Sequence, residues 1–233
     1  MSSARMPAGL LLIIAPLIFT AGFTGLQMTF DYPDILRRPA GEVLTRFASA
    51  GIDLHIYWYA MTCAALALIP AAVLAAVHFW KRDAVLAGLA SAFGILAGLV
   101  QALGLIRWVM LVPALASSYT AGGATDADRA MAAAIFDAAN RYLGVGVGEH
   151  LGYLFTALWT LLISALIFQD RRILAVGGVA ISFGVLAGML EPFGLPMAAD
   201  INAFAFALWA LWALVLGVAL LLEARRADRP AVA

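Results

Sequence analysis

The chain has 233 residues, of which 64% are hydrophobic and only 12% are charged. Soluble domains carry about 25% charged residues, so this composition excludes an ordinary soluble domain and indicates an integral membrane protein. The formal net charge is zero, which gives no support for nucleic acid as a partner. Cys63 is the single cysteine, so no disulfide can form within the chain, and no CxxC or HExxH motif indicates a metal site.

Six apolar segments are long enough to cross a bilayer, which takes about 20 helical residues. They are predicted at 8–28, 52–79, 84–112, 146–168, 173–190 and 201–222. The first segment follows Arg5 as a signal peptide would, but it has no convincing cleavage site, so a retained span is favoured. The predicted fold is therefore all-α: a polytopic membrane helix bundle of six transmembrane helices, forming a single integral membrane domain over residues 1–233.

Basic residues at the ends of the spans predict the orientation in the membrane. One side carries Arg5, Lys81, Arg82, Arg171, Arg172, Arg225, Arg226 and Arg229. The other side carries Arg37, Arg38, Arg46, Arg107, Arg129 and Arg141. The first group lies in short segments next to span ends, where the positive-inside rule applies, so both termini are predicted to be cytoplasmic.

Two short interfacial helices are predicted on the outer side. In residues 128–142, Met131 and Ile135 share one helical face with Tyr142, which is typical of an amphipathic helix, and Thr125 or Asp126 is the expected N-cap. Residues 42–49 resemble a shorter helix of the same kind. Residues 31–39 contain two prolines and mixed charges, so a loop is expected there.

An internal repeat is predicted from two pairs of similar segments. Residues 93–105 and 183–195 are identical at seven of thirteen positions, and this alignment pairs Gln101 with Glu191. A second alignment pairs Glu42, Arg46 and His55 with Asp137, Arg141 and His150. We interpret these matches as a parallel repeat of two-helix units, approximately 42–105 and 137–195, related by an axis along the membrane normal. The alternative is a chance alignment of Gly/Ala/Leu-rich helices.

Polar residues reach a common depth near the outer ends of four spans. At about 1.5 Å per residue, Gln101 and Glu191 lie roughly 26–27 Å along their helices, near the edge of a hydrocarbon core about 30 Å thick. The candidate pocket residues are His55, Gln101, Arg107, Glu149, His150 and Glu191, supported by Glu42, Arg46, Asp137 and Arg141. The alternative for each residue is an ordinary polar group at a helix end.

Several motifs resemble a large bacterial family of small multi-span membrane proteins known only as a domain of unknown function. They are EVLTRF at 42–47, WY at 58–59, LVQALGL at 99–105, RWVMLVPALASSY at 107–119 and GVGVGEHLGYLFTALWT at 144–160. The resemblance covers nearly the whole chain and implies a bacterial inner-membrane protein. It implies no activity, substrate or catalytic residue.

Four functions stay open at this point. The first is binding of a small molecule, lipid headgroup or metal ion in a pocket near the outer leaflet. The second is an intramembrane enzyme that uses Glu149, His150 and Glu191 as acid–base groups or metal ligands. The third is a haem protein with His55 and His150 as axial ligands, and the fourth is a transporter built on the repeat. The expected partners are the lipid bilayer and a small-molecule or lipid ligand; the sequence names no cofactor or oligomeric state.

Overall fold

The computed structural model describes residues 4–195 and 197–227, and within these ranges it contains helices and no strand. The six predicted spans are confirmed, because six helical stretches are long and apolar enough to cross a membrane. The helices are α1 Arg5–Phe30, α2 Ala40–Ala48, α3 Ile52–His78, α4 Ala84–Met110, α5 Val112–Thr120, α6 Asp126–Ala139, α7 Gly152–Ile167, α8 Arg172–Ala187 and α9 Ala198–Ala227. A π-helical segment, Asn140–Leu151, joins α6 to α7, and 3₁₀ turns cover Asp34–Arg37 and Gly188–Phe193.

The six spans pack in chain order around a closed ring. Helix α1 packs against α3, α3 against α4, α4 against α7, α7 against α8 and α8 against α9, which returns to α1. Consecutive spans run antiparallel: Arg5 at the start of α1 contacts His78 at the end of α3, and Gln101 late in α4 contacts Thr156 early in α7. We call the end of the bundle that holds the start of α1 and the end of α9 the terminal end, and the opposite end the loop end.

An apolar core fills the half of the bundle nearer the terminal end, and all six spans contribute to it. Alanines dominate the contribution of α3, and Trp159 and Trp212 fill the space that the small residues leave. Without a hydrophobic driving force between helices in lipid, close van der Waals packing of small residues is what holds such spans together. The core therefore fixes the relative positions of the six spans in this half of the bundle.

A second, aromatic core lies at the loop end, between the spans and a cap formed by α2, α5 and α6. Its centre is the stacked pair Trp58 and Trp108, with ring centroids 4.5 Å apart. Helix α6 is the predicted amphipathic helix, and its N-cap is Thr125, which accepts from the backbone N–H of Asp128 in a capping box. Helix α2 is the shorter predicted helix.

Three local features differ from the sequence-based expectations. The chain bends at Leu111 and continues as α5, with Pro113 in its first turn, where proline is well tolerated. Part of the segment predicted as a loop, Asp34–Arg37, forms a 3₁₀ turn. The fourth span begins as a π-helix rather than an α-helix, in a stretch that contains three glycines.

The internal repeat stays a prediction. Its two segments have different local structures: residues 93–105 lie within the continuous helix α4, whereas residues 183–195 pass from α8 into the turn Gly188–Phe193. Pro192 lacks a backbone N–H, which accounts for the end of the regular helix there.

Candidate functional site

The π-helical segment Asn140–Leu151 crosses α4 at the loop end with almost no side-chain volume between the two backbones. A Cβ atom added to Gly104 would lie 2.6 Å from the Cα atom of Gly148, closer than real Cβ contacts come. The glycines at both positions are therefore required for this crossing. π-helical turns are rare and occur frequently at functional sites, and this one carries Glu149 and His150.

Arg107 is a cation buried within the bundle, with only 7% of its surface exposed. One terminal nitrogen donates to Asn140 Oδ1 at 2.9 Å, and the other donates to the carbonyl of Gly104. Its guanidinium carbon lies 5.3 Å from the centre of the Trp108 ring. Among residues 4–195 and 197–227, Arg107 forms no ion pair, and its buried Nε has no hydrogen-bond partner.

Two tyrosines lie near Arg107 and Glu149. Tyr32, in the connection after α1, stacks edge-on against Trp58 at 5.1 Å. Burial and the nearby Glu149 carboxylate raise the pKa of Tyr32, whereas Arg107 acts to lower it, so the phenol stays protonated. Tyr153, one helical turn after Glu149, lies within electrostatic range of both Glu149 and Glu191. Glu149 is thus within electrostatic range of both phenols, and Arg107 is within range of the Tyr32 phenol.

Hydroxyl groups extend this polar layer along the inner face of α7. Gln101 Nε2 donates to Thr156 Oγ1 at 3.0 Å, and Trp209 Nε1 donates to Thr160 Oγ1 at 2.8 Å. Thr156 and Thr160 are fully buried, as is Ser164, whose Oγ has no hydrogen-bond partner. Thr160 and Ser164 lie at the depth of Trp159 and Ile163, so this row of hydroxyl groups continues from the loop end into the level of the apolar core.

The structure places the remaining candidate residues around this layer rather than at one point. His55 lies near the start of α3 and packs edge-on against Phe47 at 5.1 Å. His150 is partly exposed on the π-helical segment, and Glu191 is exposed in the turn after α8, with its charge acting on Glu149. That all of them line one cavity stays a prediction.

The supporting residues divide between two neighbouring features. Asp137 and Arg141 line a hollow of about 470 Å³ together with Ala138, Asn140 and Val145. Asn140 connects this hollow to the buried guanidinium, because it lines the hollow and its Oδ1 accepts from Arg107. Glu42 and Arg46 lie on α2 instead.

Charged side chains of α2 form ion pairs at the surface with residues of the connection after α1. Glu42 pairs with Arg38 at 2.5 Å, and Asp31 lies 2.8 Å from Arg38 and 3.7 Å from Arg46. This network ties α2 to the end of α1. It therefore holds the cap in place beside Tyr32.

Three contributors to the site were missed by sequence reasoning. Tyr153 follows Glu149 by four residues, so helical spacing alone would have placed it on the same face. Asn140 and Tyr32 had no such pattern, because their positions depend on how the cap folds over the spans. No group of three or more His, Cys, Asp or Glu side chains that could hold a metal ion occurs in the described part of the chain.

Comparison with known proteins identifies the family. The model of the family described as Domain of unknown function (DUF4386) matches residues 7–223, so the chain belongs to that family. No curated protein and no solved structure matches the chain significantly. The family membership agrees with the six apolar spans and carries no activity with it.

Proposed function

We propose that this member of the DUF4386 family binds a small polar molecule or a lipid headgroup at its loop end. In this proposal the ligand offers an anionic group to Arg107 and a hydrogen-bond donor or cation to Glu149. The observation that carries the proposal is the buried Arg107 guanidinium, which has no ion-pair partner among the described residues. A buried charge is costly unless it is paired, so an anionic ligand would supply the missing partner.

The surroundings of Arg107 favour a ligand of this chemistry over a bare metal ion. A guanidinium repels a metal cation at short range, whereas its planar fork suits a carboxylate or phosphate. Asn140 accepts from Arg107 and also lines the hollow of about 470 Å³, which has the volume of a small ligand site, typically about 300–1,000 Å³. His55, Gln101, His150 and Glu191 are proposed to line the wider pocket. The hypotheses of a haem site and of transport stay predictions without a supporting contact.

The test compares what the purified protein retains from its membrane. Wild type, Arg107→Gln and Glu149→Gln are extracted in mild detergent, and the retained lipids and small molecules are measured by mass spectrometry. Arg129→Gln and Asp126→Asn are matched controls, because they remove the same charges from an exposed ion pair on α6. We expect an anionic species in wild type and both controls, and its loss in Arg107→Gln.

Glu149→Gln keeps the test informative if Arg107→Gln does not fold. Glu149→Gln preserves the shape of the side chain, so it should elute as a monodisperse species and show an altered set of retained molecules. Identical retained molecules in all five proteins would contradict the proposal.

An enzymatic role is the second candidate. The observation that favours it is the π-helical segment that carries Glu149 and His150, because π-helical turns occur frequently at functional sites and both side chains can act as acid–base groups. Chemical conversion of the retained molecule by wild type but not by Glu149→Gln would distinguish catalysis from binding alone.

A further inference from the structure

A second polar region lies at the terminal end, which is the opposite end of the bundle from Arg107. A hollow of about 780 Å³ opens between the start of α1, the end of α3, the α7–α8 connection and the end of α9. Its charged and titratable lining residues are Arg5, His78, Lys81, Arg82, Asp170, Glu223 and Arg226. Four of these are cations and two are acids, so the lining has an excess of positive charge.

Some of these charges are used to hold the bundle together. Arg5 Nε donates to His78 Nδ1 at 3.1 Å, and His78 Nε2 lies 3.2 Å from Glu223 Oε2, so one histidine links α1 to α9. Arg82 pairs with Asp170 and donates to the carbonyl of Leu166 at 2.5 Å.

Both acids that line the hollow already have basic partners. Glu223 contacts both His78 and Arg171, and Asp170 contacts Arg82. Lys81 and Arg226, by contrast, form no ion pair within residues 4–195 and 197–227. Two cations therefore face the hollow with their charge unmatched by any acid that lines it.

The depth of the hollow matches the level of lipid phosphates. Arg5 is the first residue of α1, His78 is the last residue of α3, and Arg226 lies in the last turn of α9. Residues at the ends of membrane spans lie among the polar headgroups. A volume of this size accommodates a headgroup, since small-ligand sites span about 300–1,000 Å³.

We propose that this hollow binds the phosphate group of an anionic ligand through Lys81 and Arg226. His78, Arg5 and Glu223 keep the three helices at the spacing that forms the hollow, and they act as positioning residues. The same phosphate chemistry is offered by an anionic phospholipid and by a soluble phosphate compound. The proposal is independent of the loop-end site, because the two regions share no residue.

The test measures lipid selectivity of the full chain. Purified protein is titrated with phosphatidylglycerol or phosphatidylcholine, and bound lipid is counted by native mass spectrometry. Wild type should prefer phosphatidylglycerol, and Lys81→Gln/Arg226→Gln should bind it at least roughly tenfold more weakly, which is the value of one charge-assisted hydrogen bond. Both side chains are exposed, so the double variant should fold.

The matched control is Arg172→Gln/Arg225→Gln, which removes two exposed cations from the same end without changing the lining of the hollow. It should stay within about threefold of wild type, because only general attraction to anionic lipid is reduced. Arg129→Gln, which removes an exposed cation from the loop end, should leave the phosphatidylglycerol preference unchanged. Equal losses in the two double variants, or no lipid preference together with no phosphate binding, would overturn the proposal.

A second arm identifies the source of the phosphate. Inorganic phosphate and glycerol 1-phosphate are added in place of lipid, and binding is measured by the shift in unfolding temperature. Displacement of phosphatidylglycerol by these compounds supports recognition of the phosphate itself. Binding of the soluble compounds without any lipid preference also supports the site and identifies a soluble ligand, provided that Lys81→Gln/Arg226→Gln abolishes it.

Discussion

Arg107 is a buried charge that is hard to explain by its contribution to stability. Its guanidinium lies beside the ring of Trp108, yet only Asn140 and one backbone carbonyl accept hydrogen bonds from it. Replacing a buried charged group with an apolar side chain of similar size is often neutral or stabilising in proteins. If position 107 contributed only to stability, a hydrophobic side chain would therefore suit it better than arginine.

This reasoning predicts opposite effects on stability and on ligand retention for Arg107→Met. We expect the unfolding temperature to stay unchanged or to rise, because the buried charge is removed and the apolar stem is kept. We expect the anionic species retained by wild type to be lost. Thermal unfolding in detergent and mass spectrometry of the retained molecules measure the two quantities on the same preparation.

Arg107→Lys is the informative companion to that variant. It keeps the charge but lacks the planar fork that reaches Asn140 and stacks beside Trp108, so both stability and retention should fall. A large loss of stability in Arg107→Met, with unchanged retained molecules, would show that Arg107 serves only the fold.

The predictability of individual residues depended on whether their partners are local. Glu149 and Gln101 could be selected from the sequence because helical rise places them near the membrane surface. The Asn140 contact to Arg107 could not, because it joins residues 33 positions apart through the packing of the π-helical segment on α4. The links of His78 to Arg5 and Glu223 could not be predicted either, because they depend on ring closure between the first and last spans.

At the scale of elements, the crossing of α4 and the π-helical segment depends on Gly104 and Gly148. Their surroundings differ from those of Gly146, which lies two residues before Gly148. A Cβ atom on Gly148 would lie 2.9 Å from the Cα atom of Gly104 and 3.2 Å from the carbonyl oxygen of Leu143. A Cβ atom on Gly146 would meet only the carbonyl of Arg141 at 3.5 Å, an ordinary contact.

Gly148→Ala is therefore expected to destabilise the protein, whereas Gly146→Ala is not. Backbone atoms cannot move aside as a flexible side chain can, so the overpacked variant should lose about 1–3 kcal/mol of unfolding free energy. Gly146→Ala should be neutral or slightly stabilising, since alanine favours helical backbone over glycine. Chemical unfolding of both variants in the same detergent measures the difference; equal stabilities would contradict the close crossing.

The elements that sequence reasoning located best are those defined by hydrophobic length. The second and third spans begin at Ile52 and Ala84 as predicted, and α6 begins after the predicted cap Thr125. The π-helical segment was not predicted, because its apolar pattern fits an α-helix equally well. Helix α5 was missed because it continues the apolar run of α4 past the bend at Leu111.

At the scale of the whole molecule, the ring has two unlike polar ends separated by an apolar core. The loop end is covered by α2, α5 and α6, with the buried Arg107 beneath them. The terminal end is open and is held by the links among Arg5, His78 and Glu223. A ligand from one side of the membrane therefore reaches one end only, which makes the orientation of the ring decisive for both proposals.

The orientation is predicted by the distribution of cations. Arg5, Lys81, Arg82, Arg171, Arg172, Arg225 and Arg226 all lie at the terminal end, directly beside span ends, where the positive-inside rule has most effect. We therefore expect the terminal end to be cytoplasmic. Two neutral, exposed positions report on the two ends: Gln169 lies in the α7–α8 connection, and Gly122 lies between α5 and α6 with open space around it.

Single-cysteine labelling tests this orientation. In a Cys63→Ala background, Gly122→Cys should react with a membrane-impermeant maleimide in intact cells, and Gln169→Cys should react only after the cells are lysed. Both substitutions leave the charge distribution that sets the topology unchanged, so neither should alter the orientation it reports. The reverse labelling pattern would place the open terminal hollow outside the cell. The phosphate site would then face extracellular ligands, and the buried Arg107 site would take its ligand from the cytoplasmic leaflet.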